Sequence, residues 1–331
     1  MKAAFITQTG SPEVIQVGEL PMPRPQKKEA LIRVSAVATN PIDTYFRSGL
    51  VPMPAPFPYV IGCDFVGVIE ELGEDSENLT IGQRVWGSNQ GMLGRQGTFA
   101  EFICVNQDWI YPAPEGVEDI QIVAASLTAI TAHLGLFQFG DLQEEDTVFI
   151  NGGTGGVGSM AVQIAKAKGA RVITTVGSAE KAKIAEELGA DMVLNYKTDD
   201  LSVRIKEFTA GKGVQVWYET HREQDFGRII DLMSPRGRVI VMAGRQSKPI
   251  IPIGPFYVKC LSLHGFAMFN CTPMEQWICA EEINDLLSEQ KLKALIGLQL
   301  PLEQAALAHK VQETGTLPDG KSLFGKVVLT I

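Results

Sequence analysis

The sequence predicts an α/β protein in which a β-rich leading segment and an apolar closing strand bracket a doubly wound parallel sheet. Three observations carry that expectation. Nine of the 18 prolines lie in the first 60 residues. From about Gln121 onward, helices alternate with apolar strands. The chain then ends on Lys326 to Ile331, a strand too apolar to stand unpaired.

Proline has no amide hydrogen and fixes φ, so Pro12, Pro21, Pro23, Pro25, Pro41, Pro52, Pro54, Pro56 and Pro58 argue for short strands joined by extended loops rather than long helix. The β-branched and aromatic runs Ala30 to Ala38, Phe65 to Leu72 and Phe99 to Val105 are the expected strands. Further on, Thr147 to Ile150 is a strand, and a helix from about Gly158 to Lys168 stops at Gly169. Arg171 to Val176, Met192 to Asn195, Val214 to Glu219 and Arg238 to Ala243 continue the strands. Between them lie helices over Ala179 to Leu188, ended by Gly189, and over Leu201 to Thr209 and Phe226 to Met233. Runs of Val and Ile in a repeated β-α-β pattern imply a parallel sheet covered on both faces. Two helices follow, Pro273 to Glu289 and Leu302 to Glu313, and the last strand is expected to return to the leading domain.

At 331 residues, with 45% hydrophobic and 20% charged side chains, the chain is long enough for two domains and far from the composition of disorder. Lys and Arg number 29 against 38 Asp and Glu, a formal balance of −9. That balance disfavours nucleic acid and anionic membranes as partners. Ile120 to Gly140 carries no charged side chain, but its Gln, Ser, Thr and His content reads as a buried helix, not a membrane span. Five cysteines without Cys-x-x-Cys spacing read as reduced thiols, and the amino terminus lacks a signal-peptide pattern; a cytoplasmic protein is expected.

The strongest chemical signal is Asn151-Gly152-Gly153-Thr154-Gly155-Gly156-Val157-Gly158, between a strand and a helix. Gly152, Gly155 and Gly158 fall at G-x-x-G-x-x-G spacing, a variant of the dinucleotide fingerprint. Free amides at Gly155, Gly156 and Val157, reinforced by the helix dipole, suit a pyrophosphate. An NAD site usually presents Asp or Glu at the end of the next strand. Here that position is Gly177, followed by Ser178 and, three residues on, Lys181, while Tyr196 follows the third strand. No carboxylate would repel a 2′-phosphate, so NADPH is the expected cofactor. Glu180, second in its helix, complements the helix dipole.

His133, His221, His264 and His309 are scattered and form no ligand pair; His133 is expected to pack on its own helix and His309 to lie on an amphipathic helix surface. No nucleophile elbow or Cys/His arrangement is present. A redox cofactor without metal or nucleophile points to hydride transfer.

The sequence resembles the zinc-free quinone oxidoreductase branch, which includes the zeta-crystallins, of the medium-chain dehydrogenase/reductase superfamily. The resemblance rests on Asn40-Pro41-Ile42-Asp43-Thr44-Tyr45-Phe46-Arg47-Ser48-Gly49, Gly67-Val68-Ile69-Glu70, Gly82-Gln83-Arg84-Val85, Gly97-Thr98-Phe99-Ala100-Glu101, Leu127 to Ala132, the glycine turn and Gly325-Lys326-Val327-Val328, and covers essentially the whole chain. It implies an α/β fold with a GroES-like β domain (1–122 and 266–331), an inserted Rossmann doubly wound parallel sheet (123–265) and the active cleft between them. Zinc-containing relatives place Cys within the segment matching Asn40 to Asp43, and Gly-His-Glu at Gly62-Cys63-Asp64, so no metal is expected.

Carried over by residue, the resemblance makes Tyr45 and Asn40 catalytic or substrate-pocket groups. Thr131, Gly155, Gly156, Val157, Ser178, Lys181, Tyr196, Gly244, Phe266, Met268 and Lys326 become cofactor contacts. Arg47 reads as an ion-pair partner, and Arg245 as either a cofactor contact or an exposed side chain. The chain departs from the pattern at Tyr218 to Glu223, where relatives have a small Gly-containing turn; that loop is expected to face the nicotinamide end. The implied activity is NADPH-dependent reduction of a quinone or conjugated carbonyl compound by a homodimer. Alternatives are reduction of an enone, enal or enoyl thioester double bond, and an NADPH-binding structural or sensor protein with little turnover.

Overall fold

The closing strand Lys326–Thr330 pairs antiparallel with Glu29–Thr39, Val327 opposite Thr39 and Thr330 opposite Ala36. The two chain ends therefore share one sheet. Its order is Ile296–Pro301, Lys326–Thr330, Glu29–Thr39, Asp64–Leu72, Arg84–Gly87 and Tyr111–Pro112, with Phe102–Asn106 also on Glu29–Thr39. A smaller sheet joins Gln16–Glu19, Lys2–Ile6 and Tyr59–Val60. Ile32, Val37, Phe65, Phe99 and Leu329 are among the side chains that close the core beneath these strands.

The structure, a computed structural model, describes residues 1–51 and 57–331; Pro52, Pro54 and Pro56 of the proline-rich stretch lie outside the described residues. By contact the chain divides into two units, Met1–Leu127 with Ala280–Ile331, and Thr128–Cys279. The division after residue 279 falls inside the helix Pro273–Ser288.

In the second unit six parallel strands run in the order Met192–Asn195, Arg171–Val176, Thr147–Ile150, Val214–Glu219, Met233–Val241 and Ser262–Gly265. Numbered along the chain this is 3-2-1-4-5-6, the doubly wound order, whose reversal between the first and fourth strands opens a crevice at their carboxyl ends. Phe149 and Trp217, neighbours across that reversal, stack with ring centroids 3.9 Å apart. Helices Gly156–Ala167, Ala179–Glu187, Leu201–Phe208 and Phe226–Leu232 fill the crossovers.

Three features depart from the sequence reading. Phe99 to Glu101 precede the strand Phe102–Asn106; Phe99 is instead a fully buried core residue whose carbonyl accepts from the Ala4 amide at 2.8 Å. Pro41–Ser48 is a helix inside the proline-rich region. His309 is fully buried, edge-on to Phe99 at 6.0 Å, not on a helix surface. His133 is buried too, and packs edge-on against Phe137 of the turn that follows. The segment Asp119–Phe139 is long and apolar enough to span a bilayer, and 78% of its apolar window is buried within the protein.

Candidate active site

The glycine turn divides its labour by position. Gly152 has φ +83, where an L side chain is strained, and makes the tight turn off the first strand. A Cβ on Gly158 would lie 2.1 Å from the Gly152 carbonyl oxygen, so this glycine lets the helix pack on the strand. Gly155 is exposed, and a Cβ there would meet nothing nearer than 3.4 Å; its openness is available to a ligand. The helix begins at Gly156, with Gly155 as its N-cap, which leaves the amides of Gly156 and Val157 in the first turn without an i−4 carbonyl. This is a cradle for an anion.

Beside it, the end of the second strand forms a corner without carboxylate. Ser178 caps the helix Ala179–Glu187, its hydroxyl oxygen accepting from the Lys181 amide at 3.3 Å. A Cβ on Gly177 would fall 2.5 Å from the Tyr196 hydroxyl, so the phenol lies against the bare backbone. Lys197 holds its ammonium 5.9 Å from the centre of the Tyr196 ring. Burial, and then the charge of Lys197, lowers the pKa of Lys181, while Glu180 opposes both. A serine hydroxyl, a phenol and the Lys197 ammonium thus stand at this corner, with Lys181 in the first turn of the helix that Ser178 caps. A dinucleotide with a phosphorylated ribose fits this cradle: Gly156 and Val157 would hold its pyrophosphate, and Ser178, Lys181 and Tyr196 its 2′-phosphate.

Elsewhere in the second unit, Tyr218 donates its hydroxyl to the Thr131 carbonyl at 2.8 Å, tying that helix to the fourth strand. Phe266 stacks on Phe139 at 4.6 Å, and Met268 is buried, its carbonyl accepting from Gln276. Gly244 has φ +88 and abuts the carbonyl of Arg222 and the side chain of Gln224. Arg245 is exposed.

In the first unit the helix Pro41–Ser48 carries Tyr45, which is half-buried. Its start is a capping box in which the Asn40 amide donates to Asp43 Oδ2 at 2.7 Å. Behind it lies a buried polar cluster. The Asn40 side-chain amide donates to Asp64 Oδ2 at 2.7 Å, and its oxygen accepts from Lys326 Nζ. Lys326 also donates to the Thr39 carbonyl at 2.8 Å and stands 4.0 Å from Asp64. Ser88 donates to Asp64 Oδ1 at 2.6 Å, and the Cys63 thiol donates to Asp43 Oδ1 at 2.8 Å. With two carboxylates and one ammonium buried together, one acid is best neutral: burial pushes Asp43 up to about 7, with the bonds from Cys63 and Asn40 opposing. Asp64 is raised by burial and lowered by Lys326.

The residues can now be set beside known proteins. Residues 26–115 match the alcohol dehydrogenase GroES-like domain family, and residues 156–285 the zinc-binding dehydrogenase family. Human quinone oxidoreductase is 30% identical over 332 residues, covering 100% of this chain and 98% of that protein. The chain belongs to the quinone oxidoreductase branch of the medium-chain dehydrogenase/reductase superfamily. An Escherichia coli quinone oxidoreductase solved in complex with NADPH is 27% identical, with a TM-score of 0.86 over 100% of both chains. A 2-haloacrylate reductase structure is 27% identical, with a TM-score of 0.85 over 100% of this chain and 99% of its own.

Cys63 keeps its proton, raised by burial and by Asp43 and Asp64, and Lys326 already supplies the cation of the cluster. Among the described residues no three His, Cys, Asp or Glu side chains are grouped to hold a metal ion.

The structure brings Gly155, Gly156, Val157, Ser178, Lys181 and Tyr196 to one crevice. Asn40 and Lys326 are placed differently from groups that would touch a ligand: Asn40 is fully buried, with both ends of its amide bonded inside the protein, and Lys326 is 4% exposed with its ammonium bonded to Asn40. Arg47 is buried in a structural role, donating to the Gly10 carbonyl at 2.8 Å and to Glu313. The Glu219 to Glu223 loop lies beside Gly152 and Tyr196 and, through the Arg222 carbonyl, against Gly244. Lys197 was missed by the sequence reading; its one signal was adjacency to Tyr196.

Proposed function

We propose that the chain is an NADPH-dependent oxidoreductase that reduces quinones and related conjugated carbonyl compounds without zinc. The observation that carries this reading is the carboxylate-free corner at Gly177, roofed by Tyr196 and flanked by Lys181, next to an exposed helix start at Gly155 to Val157. An NAD-preferring corner would place an acid there; here the Tyr196 hydroxyl stands against the bare backbone instead. The Escherichia coli quinone oxidoreductase complexed with NADPH, similar along its full length, supports the same cofactor.

NADPH, when bound, supplies the hydride. The chain's own part is to hold and to polarise. The amides of Gly156 and Val157 bind the pyrophosphate, while Gly155, whose own amide is not free as expected but donates to the Gly152 carbonyl at 3.1 Å, lets it approach; Thr131, Gly244, Phe266 and Met268 line the nicotinamide end. Tyr45 donates a hydrogen bond to the substrate oxygen as negative charge develops on it, a contact that strengthens in the transition state. Asn40 and Lys326 are positioning residues: their bonds to each other and to Asp64 fix the start of the helix that carries Tyr45.

The chain works as a cytoplasmic homodimer. Its five cysteines are free thiols in the structure, in keeping with a reducing compartment. The edge strand Ser262–Gly265 bonds on one side to Met233–Val241, and exposed Ile253, Tyr257, Val258 and Leu263 lie around it, a surface suited to a second copy.

A second reading, reduction of an activated carbon–carbon double bond, is favoured by the likeness to 2-haloacrylate reductase. A substrate panel separates the two. NADPH oxidation with 1,2-naphthoquinone and none with enals or enoyl thioesters is the expected result; the reverse pattern favours the second reading.

A further inference from the structure

We propose that His221 is a cofactor-specificity residue, its imidazole forming the second wall of the groove that receives the phosphorylated ribose, opposite Tyr196. The inference rests on the NADPH reading above and adds to it a side chain from the loop after the fourth strand of the parallel sheet. The groove has a floor of two glycines at the ends of adjacent parallel strands. A Cβ on Gly177 would meet the Tyr196 hydroxyl at 2.5 Å, and a Cβ on Gly152 would meet His221 Nε2 at 3.2 Å and Cδ2 at 3.5 Å. One ring therefore covers each glycine. The two rings face edge to plane, 6.4 Å between centroids and 88° between planes.

The imidazole is held there by its backbone. The His221 amide donates to Glu219 Oε1 at 2.8 Å, and its carbonyl accepts from Gln224 Nε2 at 2.8 Å. Glu219 is itself fixed, accepting from Asn151 Nδ2 at 2.8 Å and from Trp217 Nε1 at 3.0 Å. The Glu219 carboxylate is thus spent on the loop and on the strand beneath it. What the groove presents to a ligand is donors: the Tyr196 phenol, the Ser178 hydroxyl, the Lys181 and Lys197 ammonium groups and an exposed imidazole. That set matches a phosphate monoester better than a ribose hydroxyl pair, which needs an acceptor.

Calorimetric binding of adenosine 2′,5′-bisphosphate and of 5′-AMP, to the wild-type chain and to His221→Ala and His221→Arg, tests the proposal without turnover. The wild type should prefer the bisphosphate. His221→Ala should cut that preference about tenfold while 5′-AMP binding changes less than about twofold, and His221→Arg, which places N–H donors at the same wall, should retain most of it. A preference unchanged in His221→Ala, or an equal loss for both nucleotides, overturns the role of His221 and leaves the NADPH reading standing. A wild-type chain with no preference for the bisphosphate overturns the NADPH reading itself.

Discussion

The hydroxyl of Tyr196 sits where the side chain of residue 177 would begin: a Cβ on Gly177 would lie 2.5 Å from it. The phenol thus puts a donor where an NAD site carries an acid. Gly177→Asp should reverse the cofactor preference, because Tyr196 is half-exposed and can swing aside while the new carboxylate repels a 2′-phosphate and accepts from ribose hydroxyls. The dissociation constant for NADPH should rise at least about tenfold and that for NADH should fall, as fluorescence titration would report.

Lys181→Ala should act in the same direction by a different route. Losing one charge-assisted contact, of about 1.5–3 kcal/mol, should weaken NADPH about tenfold or more and leave NADH nearly unchanged. An unchanged NADPH/NADH ratio would place the phosphate elsewhere.

Tyr45→Phe should lower kcat by about a hundredfold, the usual cost of removing one donor to a developing oxyanion, with NADPH affinity intact. Equal turnover by Tyr45→Phe and the wild type would reduce the phenol to a packing role.

Two buried groups give the stability a pH dependence of opposite sign. His309 is lowered to about 3 by burial and by Arg47, from an ordinary 6.5. Its unfolded form takes up a proton that the folded form refuses, so this contribution is complete above pH 6.5 and is lost as pH falls toward 3. Asp43, raised to about 7 from 3.8, behaves conversely. Its contribution is complete below 3.8 and is lost as pH rises through 7. Between pH 4 and 6.5 the two slopes, each about 1.4 kcal/mol per pH unit at most, oppose each other. His309→Leu should therefore gain stability over the wild type as pH falls through this window, and Asp43→Asn should gain it as pH rises, both read from denaturant midpoints. Parallel profiles for the two variants would contradict the assignment.

The legible parts of the fold were those whose signals are local. Gly169 and Gly189 ended the helices as expected, and both have positive φ. The glycine turn read correctly because strand, turn and helix lie within twenty or so residues. The helix Pro41–Ser48 was also written locally, as Asn40 at the cap, Pro41 in the first turn, Asp43 completing the box and Gly49 at the end with φ +77, but the proline count around it hid those marks. What could not be read was long-range. Lys326 reaches Asn40 across 286 positions. The Glu219 to Glu223 loop meets Gly152 because Tyr218 lies opposite Ile150 in neighbouring strands, a consequence of sheet order and not of any motif. His309 is buried by Phe99, from a distant segment, although its own helix carries an amphipathic pattern.

Assembly is checked by light scattering. Tyr257 and Val258, 67% and 70% exposed beside the edge strand, should lie in the dimer contact, and Tyr257→Glu with Val258→Glu should roughly halve the wild-type mass. A variant that keeps the wild-type mass would move the interface elsewhere.

Hydride transfer from bound NADPH to a quinone is read most directly in a single-turnover mixing experiment, in which the chain loaded with a stoichiometric amount of NADPH meets 1,2-naphthoquinone and the reduced-nicotinamide absorbance is followed. Complete loss of that absorbance is expected, one NADPH consumed per quinone, slowed by deuterium at the transferred position. Tight NADPH binding with no loss of absorbance, with this quinone or with any enone, would contradict it.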